Sequence, residues 1–139
     1  MTRDVTLEHA YRATAYHVRL PAGELVLRVD EPAPRLDGWL AGEGVACWGV
    51  LTAWNPASKR LSVARNRPRQ AALRHVLQEQ GYRIFPGEHH SAGGDWPLEP
   101  TFFILSLPQN DALDLARRFG QNAFLWGERG GCPQLFWGV

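Results

Sequence analysis

Ten residues in the first half of the chain, VACWGVLTAW from Val45 to Trp54, are almost continuously apolar. A run of this kind is typical of a central strand that is covered on both faces of a sheet. It stops at Asn55 and Pro56, because proline lacks an N–H and restricts the residue before it. The sequence therefore predicts a layered fold with this strand at its centre.

The segments that follow alternate between helical and strand patterns. Helices are predicted after Asn66 and after Asn110, each of which is a suitable N-cap, and Gly81 and Gly120 are placed to end them. Strands are predicted at 82–86, 101–107 and 123–126. Over residues 45–126 the order is strand, helix, strand, strand, helix, strand, which is the order of a ferredoxin-like split βαβ core.

The remaining segments predict additions to that core. A first helix, capped by Asp4 or Thr6, is expected to run to about Arg12. A hairpin over 15–29, a short helix containing Leu36 and a final strand at 134–137 complete the pattern. With no linker-like segment, the predicted fold class is α/β (α+β), a sandwich in which residues 1–139 form a single domain.

Composition and charge narrow the class of protein. No apolar run approaches the ~20 residues that span a bilayer, and the polar N-terminus does not resemble a secretion signal. The chain has only two cysteines, and neither lies in a metal or redox spacing. We therefore expect a cytoplasmic protein without a disulfide scaffold.

Four segments resemble a family of small bacterial proteins catalogued as domain of unknown function 3293. They follow the family's order and span almost the whole chain: AYRATAY at 10–16, LTAWNPAS at 51–58, WPLE at 96–99 and RFGQNA at 118–123. Because no activity is known for the family, the resemblance implies no catalytic residues.

The predicted topology places three connections at one end of the sheet. The first two core strands should run in the same direction and the last two in the opposite direction. The loops 55–66 and 87–100 and the junction 120–122 then meet, although they are far apart in sequence. We expect the functional site at this end.

The side chains of these connections are typical of a small-molecule pocket. Aromatic walls with a few polar groups suit a polar or anionic ligand such as a nucleotide or a sugar. The candidate ligand-binding residues are Trp54, Asn55, Ser58, Asn66, Trp96, Glu99, Gln121 and Asn122. His89, His90 and Asp95 in the same loop can also titrate or bind a ligand.

Each of these residues also has a purely structural interpretation. The Asn55–Ser58 segment can be a strand stop followed by a turn, and Asn66 can be only a helix cap. Gln121 and Asn122 can satisfy the carbonyl groups at the end of the preceding helix. Convergence of the loops, more than any single residue, supports the site.

Catalysis is left open, with Glu99 and His90 as candidate acids or bases. We expect no metal and no cofactor, because His89 and His90 should point to opposite faces of a strand and no zinc spacing occurs. The glycines at 87, 93 and 94 lack the lysine and the helix of a phosphate loop, and neither Ser58 nor Ser91 lies in a nucleophile elbow.

Two alternative functions remain. Residues 44–78 contain no acid, and their basic side chains suit phosphate, so nucleic acid is a possible partner. The arginines of that alternative are Arg60, Arg65, Arg67, Arg69 and Arg74, although the net charge of the chain is only +1. A protein-interaction patch formed by Trp126, Phe136 and Trp137 is the other alternative. No membrane partner is expected, and the oligomeric state is open.

Overall fold

The computed structural model describes residues 5–94 and 96–138, which form four helices and seven strands. The helices are α1 (Val5–Arg12), α2 (Pro34–Glu43), α3 (Val63–Glu79) and α4 (Gln109–Arg118). The strands are β1 (Ala15–Leu20), β2 (Gly23–Leu27), β3 (Cys47–Leu51), β4 (Ile84–His90), β5 (Glu99–Leu105), β6 (Ala123–Glu128) and β7 (Gln134–Trp137).

The seven strands form one antiparallel sheet in the order β2-β1-β4-β5-β3-β6-β7. Both β3 and β4 pair antiparallel with β5, so they run in the same direction, as predicted. The predicted hairpin extends the sheet beyond β4, and β7 extends it beyond β6. The mixed α/β class is confirmed.

Each face of the sheet has its own apolar core. One core places Leu36 and Leu40 of α2 against β1, β3 and β5, around Trp48 and Phe103. The other places Leu73 of α3 and further side chains of α4 against the opposite face. Because β3 contributes to both cores, its uninterrupted apolar sequence is explained.

Two predicted helix caps are wrong. Ser62 is the N-cap of α3, and its hydroxyl accepts a hydrogen bond from the Arg65 amide. Asn66 therefore lies inside the first turns of α3, where it is completely buried. Helix α4 begins at Gln109 after Pro108 without a side-chain cap, so Asn110 is also helical. Asp4, a candidate cap of α1, lies outside the described residues.

The predicted loop 87–100 is shorter than expected, because β4 continues to His90 and β5 begins at Glu99. Gly87 is a strand residue. A Cβ atom there would lie 2.2 Å from the carbonyl oxygen of His17, so glycine permits close approach of β1. Pairing with both neighbouring strands thus overrides the local turn preference of Pro86 and Gly87. The central strand is also shorter than the apolar run.

None of the helices in the described part of the chain is long and apolar enough to cross a membrane.

Candidate functional site

The loop that follows β3 and the junction that enters β6 contact each other directly. The Ala57 amide donates to the Gly120 carbonyl at 2.7 Å, and Gln121 Nε2 donates to the Trp54 carbonyl at 3.2 Å. Gly120 has a φ of 71°, in the left-handed region, and a Cβ atom there would lie 3.1 Å from Cβ of Pro56. Glycine at this position therefore permits both the left-handed backbone conformation and the close packing against Pro56.

A cavity of about 290 Å³ lies at this end of the sheet. Helix α1 covers one side of it, although none of the residues of α1 is fully buried. The other walls come from the loop after β3, the β4–β5 connection and the junction before β6. The lining residues are Leu7, Ala10, Tyr11, Thr14, Asn55, Ser58, His89, Ser91, Trp96, Glu99 and Gln121.

Three side chains of α3 form hydrogen bonds to the loop after β3 and fix its position. Asn66 Nδ2 donates to Asn55 Oδ1 at 2.7 Å, and Asn66 Oδ1 accepts the Asn55 amide at 2.8 Å. Arg69 donates to the carbonyls of Ala53 and Phe119 at 3.0 and 2.7 Å. Gln70 accepts the Ala53 amide at 2.8 Å. Positions 66, 69 and 70 lie on one face of a helix, so α3 presents them together.

The same loop contains backbone strain. Asn55, Ala57 and Ser58 have φ values of 47°, 56° and 58°. The left-handed conformation costs a non-glycine residue about 1–2 kcal/mol, and asparagine tolerates it best. Such strain persists only when surrounding contacts fix the backbone, and it clusters at binding and catalytic sites.

Glu99 is a buried acid at the start of β5, only 6% exposed. Its Oε2 accepts a hydrogen bond from the Trp96 indole N–H and lies 3.3 Å from His89 Nε2. His89 is the register partner of Glu99 on β4, and its ring packs edge-on against Tyr16. Strand pairing therefore places the carboxylate, the imidazole and the indole together on one wall.

Elsewhere in the cavity wall, hydroxyl groups form a chain. Asn122 Nδ2 donates to Ser58 Oγ at 3.0 Å, and Ser58 Oγ lies 3.0 Å from Tyr11 Oη. Burial is the largest effect on the Tyr11 phenol and raises its pKa above 10. Only one hydroxyl hydrogen is used between Ser58 and Tyr11, so the pair has a second one to donate.

Three buried side chains of the cavity each keep one polar atom without a hydrogen-bond partner among the described residues. Asn55 Oδ1 accepts the Leu61 amide, so its free atom is the donor Nδ2. Gln121 Nε2 donates to two carbonyls, so its free atom is the acceptor Oε1. Glu99 has a free Oε1. None of the three atoms is among the fully buried unpaired side-chain atoms of the described residues, and all three residues line the cavity.

A family model described as "Protein of unknown function (DUF3293)" matches residues 51–124, which is more than half of the chain. The chain belongs to the DUF3293 family. No curated protein and no solved structure matches it. The matched segment of this DUF3293 chain contains the loop after β3, helix α3, the β4–β5 connection and the junction before β6, so most of the cavity lies within the family's own region.

The structure brings together five of the eight predicted ligand-binding residues. Asn55, Ser58, Trp96, Glu99 and Gln121 line the cavity. Asn66, Asn122 and Trp54 do not line it: Asn66 holds Asn55, Asn122 holds Ser58, and the Trp54 carbonyl accepts from Gln121. These three residues form hydrogen bonds to lining side chains and hold them in position. Asp95 lies outside the described residues.

The histidine beside Glu99 is His89 and not His90. Adjacent strand residues face opposite ways, and the ring of His90 stacks on His17, with 3.8 Å between the ring centroids. Among the described residues, no three His, Cys, Asp or Glu side chains lie close enough to hold a metal ion.

The arginines of the basic segment have different surroundings. Arg69 is bound to backbone carbonyls inside the protein. Arg60 and Arg74 lie over the rings of Trp96 and Phe102, at 5.9 and 5.3 Å from their centroids. Arg65 and Arg67 are exposed on α3.

The C-terminal aromatic residues pack against the rest of the fold. Trp126 is buried, and Phe136 stacks on Phe124 with 5.8 Å between ring centroids. Trp137 packs edge-on against Tyr11 at 5.6 Å, which links β7 to the helix above the cavity.

Sequence reasoning missed the contribution of α1 and the role of His89 as the partner of Glu99. Tyr11 and Thr14 line the cavity from α1 and the residues after it, and Ser91 lines it from the β4–β5 connection. Tyr11 and Thr14 belong to the segment AYRATAY at 10–16, which lies before the family match at 51–124.

Proposed function

We propose that the chain binds a small polar ligand, of the size of a nucleoside or a sugar, in the cavity between α1 and the three converging loops. The observation that carries this proposal is the set of free polar atoms on Asn55, Glu99 and Gln121. These residues are 3%, 6% and 7% exposed, and none of the three free atoms is among the fully buried unpaired side-chain atoms of the described residues, so a ligand in the cavity can reach them.

The free energy of buried polar groups supports a ligand at this position. A buried donor or acceptor that finds no partner in protein, water or ligand costs about 1–3 kcal/mol, and more when the group is charged; the three cavity atoms are open enough to pair with water until a ligand replaces it. Native proteins therefore satisfy most such groups with protein, water or ligand atoms. Three incompletely satisfied side chains around one cavity form a polar surface that a ligand completes.

The shape of the cavity fits the same proposal. Small-molecule sites are mostly apolar clefts with a few polar groups, of about 300–1,000 Å³. The present cavity, at about 290 Å³, lies just below this range and suits a small ligand such as a sugar or a nucleoside. Trp96 supplies a flat wall, and Leu7 and Ala10 supply an apolar cover.

A thermal-shift screen of nucleosides, sugars, amines and nucleotides tests the proposal. Binding at about 100 times the dissociation constant stabilises the folded state by about 2.7 kcal/mol, which gives a clear rise in Tm. The screen is run on the wild type, on Tyr11→Phe and Trp96→Phe, and on the control Tyr82→Phe. The Tyr82 hydroxyl bonds Asp111, and Tyr82 precedes β4 at the end away from the cavity.

We expect at least one compound to raise the Tm of the wild type and of Tyr82→Phe equally, with a smaller rise in the two cavity variants. A compound that stabilises all four proteins equally binds elsewhere and contradicts the proposed site. Absence of any stabilising compound contradicts the small-ligand function, and measurement of nucleic-acid binding at low salt would then follow.

We also propose that β3, α3, β4, β5, α4 and β6 form a ferredoxin-like split βαβ unit that β1, β2 and β7 extend. The order β4-β5-β3-β6 and the packing of α3 and α4 on one face support it. An experimental structure with right-handed β3–α3–β4 and β5–α4–β6 crossovers would bear it out, and a left-handed crossover would exclude it.

A further inference from the structure

We infer that the ligand of this cavity carries a planar cationic nitrogen group, a guanidinium or an amidinium, which binds to Glu99. The inference rests on the proposed function and names the chemical class of its ligand. It follows from the charges that line the cavity, from the free acceptor atoms and from the aromatic wall.

The charge of the cavity favours a cation. Glu99 is its only lining carboxylate among the described residues, and no described lysine or arginine lines it. His89 lies beside Oε2, so Oε1 is the oxygen left for a ligand. A carboxylate in a cleft lined mainly by apolar surface gains most from a donor that is itself charged, because charge-assisted hydrogen bonds are about twice as strong as neutral ones.

The free atoms also favour a ligand with several N–H groups. Two of the three are acceptors, Oε1 of Glu99 and Oε1 of Gln121, and they come from different walls. Amidinium and guanidinium groups present several N–H donors in one plane, whereas a primary ammonium is a compact point charge. The free donor Nδ2 of Asn55 requires one acceptor elsewhere on the natural ligand.

The aromatic wall already interacts with a group of this kind. The guanidinium carbon of Arg60 lies 5.9 Å from the centroid of the Trp96 ring. Indole faces attract planar cations through the ring quadrupole. The indole N–H is bound to Glu99, so the ring and the carboxylate are fixed relative to each other.

The same features disfavour an anion. Arg60, Arg65 and Arg67, which lie in or just after the loop that follows β3, do not line the cavity. An anion inside the cavity would approach Glu99 with only the His89 imidazole, and no lining arginine or lysine, to compensate. The cavity therefore selects against phosphate and carboxylate groups.

Three compounds of nearly equal shape separate charge from size: benzamidine, benzamide and benzoate. Their affinities are measured by isothermal titration calorimetry on the wild type, on Glu99→Gln and on the exposed control Glu31→Gln. Wild type and control should bind benzamidine at least about tenfold more tightly than benzamide, the effect expected for a hydrogen bond to a charged group. Benzoate should not bind, and Glu99→Gln should lose the preference for benzamidine.

Failure of the inference differs from failure of the proposed function. Equal or tighter binding of benzamide or benzoate, weakened by Trp96→Phe, would overturn the cationic ligand and retain the site. An unchanged preference in Glu99→Gln would overturn the role of Glu99. If neither these compounds nor the wider screen bind, both proposals fall. Should Glu99→Gln not fold, the order of the three affinities in the wild type still decides.

Discussion

Asn55 and Asn66 bind each other twice, through the pair of side-chain amides and through the Asn55 backbone amide. Asn66 Nδ2 also donates to the Leu61 carbonyl at 3.2 Å. Helix α3 therefore fixes both ends of a strained loop with one completely buried side chain. This arrangement fixes Asn55 in the cavity wall and leaves its side-chain NH2 group without a partner among the described residues.

Replacement of Asn66 should destabilise the fold. Asn66→Ala removes the acceptor of the Asn55 amide and the donors to Asn55 Oδ1 and Leu61, leaving buried groups without partners. We expect the free energy of unfolding in urea to fall by about 2–4 kcal/mol. The control Asn110→Ala, exposed at the start of α4, should change it by less than about 0.5 kcal/mol. A similarly small effect of Asn66→Ala would show that α3 does not anchor the loop.

Glycine at position 57 should be tolerated, unlike glycine in a helix. Ala57→Gly relieves a left-handed residue, worth about 1 kcal/mol, against a similar loss of chain entropy. The matched change Ala72→Gly, at an exposed position of α3, should cost about 1 kcal/mol. Urea unfolding of both variants provides the comparison. Equal destabilisation by the two changes would mean that residue 57 is not strained.

The three tyrosines should ionise at unusually high pH. Burial raises the pKa of Tyr11 and Tyr16 above 10, and burial with the hydrogen bond to Asp111 raises the pKa of Tyr82 to about 12. The unfolded chain ionises first, so their contribution to stability is complete below pH 10 and is lost as the pH rises through the folded pKa values. Tyrosinate absorbance should therefore remain low at pH 10. About half-ionisation of one tyrosine there would contradict this.

The acid side of the stability profile should depend on Glu88. The hydrogen bond from Arg19 is the main cause that lowers the pKa of Glu88 below 4.5. Its contribution to stability is present above pH 4.5 and is lost as the pH falls through the lowered pKa. Glu88→Gln should flatten the fall of the unfolding free energy in acid, and the exposed Glu31→Gln should not. Parallel profiles of unfolding free energy against pH for the wild type and both variants would contradict this role of Glu88.

The convergence of the loops could be predicted because it follows from strand order alone. Local patterns located β3, β5 and β6 and the turns between them, and antiparallel pairing then brought Asn55, Glu99 and Gln121 to one end. The end of the sheet at which the loops meet could therefore be predicted without knowledge of any side-chain contact.

The face of the sheet and the cover of the cavity could not be predicted in the same way. A register shift of one residue exchanges His89 and His90, and only pairing with β1 and β5 sets that register. Helix α1 has no fully buried residue, so its sequence gives no strong indication of where it packs. Asparagine is a common N-cap residue, so the sequence predicts a cap at Asn66. Because α3 begins earlier, after its N-cap Ser62, Asn66 lies inside the helix and binds Asn55 instead.

The most direct test of ligand binding in the cavity uses the indole N–H signals of two tryptophans. Trp96 lines the cavity, whereas Trp39 lines a separate groove of about 240 Å³ between α2 and the hairpin. Two-dimensional NMR spectra are recorded during titration with benzamidine and with adenosine. Trp96→Phe and Trp39→Phe assign the two signals. We predict a saturable shift of the Trp96 signal while the Trp39 signal stays in place. A shift of Trp39 alone, or of neither signal with either compound, would contradict the account.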